Sequence, residues 1–123
     1  MSFDWRDFLE IADVLAKFEL TDRREALFRS AVSRAYYAGF GTARAQAALL
    51  RAATRQSAAE HGELVAFYSK RFGGAGEQVA FFLTRLRTFR NAADYDATLE
   101  DAEAMCELTL REAHELIDLL ASL

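Results

Sequence analysis

Proline is absent from these 123 residues, and glycine occurs six times. Sandwiches and barrels need turn residues at short intervals, so a chain without them, rich in Ala, Leu, Arg and Glu, is expected to run in long helices. Cysteine is equally scarce. Cys106 stands alone, so no disulfide can close within the chain and no thiolate metal site can be assembled in it. We expect it as a small core residue. The two histidines, His61 and His114, are too few for a Ser, His and Asp triad. Glu112 and His114 also miss the i, i+3 relation of a carboxylate-bridged di-iron bundle. Gly73, Gly74 and Gly76 lack the lysine and hydroxyl of a triphosphate-binding loop. No metal and no cofactor is expected. No segment approaches the roughly 18 apolar residues of a membrane span, and the opening residues carry acids in place of a basic region followed by an apolar run. A cytoplasmic protein is expected.

What the chain does have is 52% apolar content, enough for one core and a single domain over residues 1–123. Trp5, Phe8, Leu9, Ala12, Leu15 and Ala16 recur on one helical face, which places a first helix from about Phe3 to Phe18. Asp22 followed by Glu25 resembles a capping box and opens a helix that runs to about Arg55. Ser57 with Glu60 starts a shorter helix that stops at Gly73, Gly74 and Gly76, read as a loop. A fourth helix follows from about Glu77 to Ala93 on Val79, Phe82, Leu83, Leu86 and Phe89. Thr98 with Asp101 then opens the last, whose Ala102, Met105, Cys106, Leu110, Ala113, Leu116, Ile117 and Leu120 face inward. The expected fold class is all-α: an up-and-down bundle of four long helices plus one short helix.

The net charge of −4 argues against a surface that grips nucleic acid everywhere, but it is unevenly spread. Residues 22–90 hold twelve bases and five acids, whereas 91–123 hold one base and nine acids. Pairing between adjacent helices accounts for this, and so does an anionic ligand near the basic helices. Two arginines sharpen the question. Arg90 follows Leu86 by four residues and Leu83 by seven, and Arg34 follows Leu27 by seven, so each projects beside an apolar stripe. Desolvating an unpaired guanidinium costs several kcal/mol or more, which demands an acid, carbonyls, a cleft or a ligand. Internal pairing would join Arg90 to Asp94 at i+4 and Arg34 to an acid of the last helix.

Other side chains carry the same double reading. Asn91, beside Arg90, offers donor and acceptor groups that suit a base edge or ribose, or a backbone cap. Tyr36, Tyr37 and Phe40 lie among small residues, as in a central helix packed on several sides; Tyr37 or Tyr95 could instead stack on a base. Arg85 and Arg87 are expected at the solvated surface, and His61 in an exposed first turn.

Three segments, SAVSRAYYAGF from Ser30, EHGELVAFYSKRF from Glu60 and LRTFRNAADYD from Leu86, together resemble the HEPN superfamily, the higher eukaryote and prokaryote nucleotide-binding domain. The resemblance covers most of the chain. It implies a helical bundle, frequent homodimerisation and, in prokaryotes, pairing with a small nucleotidyltransferase in toxin and antitoxin modules. Active members are metal-independent RNases marked by an arginine, a polar residue and, four to six positions after the arginine, a histidine. Arg90 and Asn91 match the start of that signature, and Tyr95, flanked by Asp94 and Asp96, stands where the histidine is commonest. The chain thus resembles the ADYD-type branch. Imidazole exchanges protons near neutral pH and contributes roughly 10²- to 10⁴-fold in rate, whereas a phenol of pKa near 10 is a poor base. The implied function is a nucleotide- or RNA-binding module with a degenerate RNase motif, its candidate residues Arg34, Tyr37, Arg90, Asn91, Asp94 and Tyr95. Two alternatives stay open: an RNase that uses Arg90 with Tyr95 or with a residue of a dimer partner, and a non-catalytic scaffold.

Overall fold

A computed structural model of the chain describes residues 2–19, 21–50 and 59–123. Its helices are α1 (Asp7–Lys17), α2 (Arg24–Leu49), α3 (Glu60–Arg71), α4 (Gly73–Tyr95) and α5 (Ala102–Ser122), with a 3-10 turn at Thr21–Arg23 ahead of α2. The all-α, up-and-down bundle expected from the periodicity is what the chain forms.

α2 is the axis of the bundle because its small residues let neighbours close on it from several sides. Ala31, Val32, Ala35, Tyr36, Ala38, Ala43 and Ala47 are all buried in it, and α1, α3, α4 and α5 pack against it. At Gly39 a Cβ would collide with Leu116 of α5, and at Gly41 with the ring of Trp5. Glycine there sets how near α5 and the N-terminal segment can come. Leu64, Leu83, Leu86 and Leu116 are fully buried around this axis, each worth about 1.5–3 kcal/mol of transfer free energy. Cys106 is a core residue, as expected, and burial pushes its thiol up to about 11.

The boundaries differ from the sequence reading in instructive ways. α1 begins at Asp7, about a turn later than expected; Phe3, Trp5 and Phe8 form an aromatic cluster across its start, with ring centres 5.0–5.8 Å apart. Asp22 does not cap α2: Arg23 holds that position and no side-chain cap forms, while Glu25 pairs with Arg29. Residues 51–55, given to the second helix, and Ser57, given to the start of the third, lie outside the described residues. The glycine cluster is no loop. α3 ends at Arg71, Gly73 turns the chain with φ 59°, and α4 begins there, so Gly74 and Gly76 belong to its first turn. A left-handed φ is strained for side-chain-bearing residues and free for glycine, which lets one residue do a loop's work.

α5 starts as its own first residues dictate. Asp101, not Thr98, is the cap; its Oδ1 accepts from the Ala104 N–H at 2.9 Å. Removing that acceptor leaves a first-turn N–H to water alone. Asp101→Ala is therefore expected to lower the unfolding free energy by about 1 kcal/mol, read as a shifted urea midpoint at unchanged slope.

Candidate functional site

α4 carries the arginine singled out by the sequence. Four residues after the buried Leu86, Arg90 emerges at the edge of the core, its side chain 19% exposed. Its Nε donates to Asp94 Oδ2 at 3.0 Å and its Nη1 to Asn91 Oδ1 at 2.9 Å. The pairing with Asp94 is thus present. It does not use up the group, because among the described residues the other guanidinium N–H groups have no acceptor. Instead the guanidinium carbon lies 5.4 Å from the ring centre of Tyr37, 5.7 Å from Tyr95 and 5.8 Å from Tyr36, within cation–π range.

On one side of Arg90 is a cleft of about 200 Å³ lined by Tyr36, Tyr37, Phe40, Glu60, His61, Arg87 and Arg90. Here the sequence reading is corrected twice. Arg87 is not a solvated surface residue: it lies three positions before Arg90, on the same helical face, and is half-buried at this cleft. No acid partner of Arg87 exists among the described residues. His61 is buried, 9% exposed, and not in an open first turn. Its Nδ1 shares a 2.9 Å hydrogen bond with the Tyr36 hydroxyl, and its ring stacks 6.1 Å from Phe40. Burial and then the Arg87 charge lower its pKa to about 4. Burial raises the Tyr36 phenol to about 12. Near neutral pH both are uncharged, and the two guanidiniums are the cationic groups of the cleft.

On the other side lies a shallow groove that includes Ser33, Arg34, Ala93 and Asp94. Arg34 is not paired with the last helix. Among the described residues its contacts are rings, Phe8 at 4.8 Å and Tyr37 at 5.2 Å. Tyr37 is therefore shared by Arg34 and Arg90 and joins groove to cleft. Asp94 belongs to the groove, where it meets Ser33 Oγ at 3.4 Å. Asn91 is exposed and engaged with Arg90. Tyr95, the last residue of α4, is 74% exposed at the rim. Arg29 holds this end of α4 in place by donating to the carbonyls of Ala93 at 3.0 Å and Asp96 at 2.7 Å.

Arg85, expected at the solvated surface, keeps 39% of its side chain exposed. It forms a two-pronged pair with Glu112 of α5, at 2.7 and 2.8 Å, and so belongs to the α4–α5 contact. Both signals missed in the sequence were present in it. Arg87 is i−3 from Arg90, and His61, Leu64 and Tyr68 follow the i, i+3, i+7 stripe of a buried face. Among the described residues no group of acidic, histidine or cysteine side chains could hold a metal, and no helix is long and apolar enough to cross a membrane. Comparison of the chain with family models, curated proteins and solved structures returned no match.

Proposed function

We propose that the chain is a HEPN-like nucleotide- or RNA-binding module whose ligand places a phosphate against Arg87 and Arg90 at the aromatic cleft. The observation that carries this is Arg87: a half-buried guanidinium, without an acid partner among the described residues, beside a second guanidinium with unused N–H groups. Guanidinium forks match phosphate oxygens and tolerate partial burial better than ammonium. The half-buried rings of Tyr37 and Phe40 at the cleft suit a flat base, and base–aromatic stacking contributes about 1–3 kcal/mol per base. Arg34 and Tyr37 extend the same cation-and-ring pattern into the groove, a direction for a second nucleotide. A homodimer, and a small nucleotidyltransferase as antitoxin partner, belong to this reading through the family resemblance.

Binding is favoured over RNA cleavage by the electrostatics of the cleft. A general base works best with a pKa near the operating pH. His61 at about 4 and Tyr36 at about 12 lie on opposite sides of it, and Tyr95 stands at the exposed rim. The test is fluorescence anisotropy with a short labelled single-stranded RNA. Arg87→Ala is expected to weaken binding at least tenfold at 0.1 M salt, the loss of one charge-assisted contact of about 1.5–3 kcal/mol, with an unchanged melting temperature. Equal affinity in the variant would remove the basis of the proposal.

A further inference from the structure

Glu60 is the first residue of α3 and lines the same cleft as Arg87 and Arg90. Its side chain is 6% exposed. One oxygen, Oε1, accepts from Arg44 Nη1 at 3.3 Å. The other, Oε2, is closed to solvent and has no hydrogen-bond partner among the described residues. A buried acceptor left unmet carries its full desolvation penalty, greater for a charged group, so this oxygen is a standing demand for an N–H donor.

The rest of the cleft narrows the kind of donor. Its walls include the half-buried rings of Tyr37 and Phe40, and apolar ring surface suits a flat partner. Its volume of about 200 Å³ is the room of roughly six or seven waters at about 30 Å³ each. That admits one ring system, with any phosphate left at the mouth near the guanidiniums. Among the bases, guanine presents two adjacent N–H donors on its Watson–Crick edge, the ring N1–H and the exocyclic amine. Adenine and cytosine place a ring acceptor beside their amine, and uracil flanks its N–H with two carbonyls. A carboxylate attracts the first pattern and repels the acceptors of the others.

We infer that Glu60 selects the base, favouring guanine over adenine, cytosine and uracil. This rests on the nucleotide-binding reading above and adds a specificity to it. The terminal torsion of a glutamate is broad, so a turn of the carboxylate brings an oxygen to a base edge in the cleft at the expense of the long 3.3 Å contact to Arg44. A site built around such a demand discriminates strongly, because the wrong base leaves the buried oxygen unmet.

Isothermal titration of the full chain with 5′-GMP, 5′-IMP and 5′-AMP tests this. Wild type is expected to bind GMP at least tenfold tighter than AMP, with IMP, which keeps N1–H and lacks the amine, between them. Glu60→Gln retains an oxygen for Arg44, loses the preference for two N–H donors and no longer repels a ring acceptor, so GMP is expected to weaken and AMP to tighten until their affinities converge. Should wild type bind GMP and AMP equally, with Arg87→Ala weakening both, the selection by Glu60 is refuted and the binding reading survives. Absence of binding by any of the three refutes both. If Glu60→Gln fails to fold, the order of the three nucleotides on wild type alone decides.

Discussion

The Arg87→Ala/Arg90→Ala double variant is expected to bind single-stranded RNA at least 100-fold more weakly than wild type at 0.1 M salt. The two guanidiniums share one helical face and open on the same cleft, so a single phosphate-bearing ligand meets both. Each charge-assisted contact contributes about 1.5–3 kcal/mol, and 1.4 kcal/mol is tenfold in affinity; two lost contacts therefore give 100-fold or more. The salt dependence carries the more specific prediction. For single strands the slope of log K against log salt is about −0.7 per neutralised phosphate, so removing the pair that holds one phosphate is expected to flatten it by roughly 0.7. A loss of affinity at constant slope would mean that the contacts are not to phosphate. Stability is expected to change little, because the Arg90–Asp94 pair is a partly exposed i, i+4 pair worth about 0.3–0.5 kcal/mol.

Acid is expected to destabilise the fold through His61. In the unfolded chain its imidazole takes a proton below about pH 6.5; in the folded protein it does so below about 4. Between those values the unfolded state binds more protons, so stability rises with pH there. His61 thus contributes stability that is fully present above 6.5 and lost as pH falls towards 4. The difference corresponds to about 3 kcal/mol at 1.36 kcal/mol per pH unit. Carboxylates titrate in the same window, so the measurement is the difference between wild type and His61→Gln. Urea unfolding at pH 7 and pH 4.5 is expected to show wild type losing more stability than the variant. Parallel pH profiles would place His61 in a solvated environment and contradict its burial beside Tyr36 and Arg87.

How much of this was readable beforehand depends on the range of each interaction. Arg90 was legible because its partners are local: Leu83 and Leu86 define the stripe it interrupts, and Asp94 lies one turn away. The all-α class followed from apolar spacing that each helix carries within itself. The Arg85 pair is not legible in the sequence because its acid, Glu112, lies on a different helix 27 residues on. The internal pairing offered for Arg34 fails for a related reason, since the rings of Phe8 and Tyr37, and no acid of the last helix, meet it among the described residues. The glycines at 73–76 resemble a loop by composition, yet one left-handed residue makes the corner. Arg87 is hard to place from the sequence because Arg85, two positions away, points elsewhere, whereas Arg90, three positions away, shares its face.

Arginine Nε–H NMR signals, followed while a short single-stranded RNA is added to the full chain, test the cation pair most directly. The account predicts that the resonances of Arg87 and Arg90 shift together, saturate along one binding curve, and do so with the ring signals of Tyr36 and His61. RNA that binds while both guanidinium signals stay where they were would contradict it.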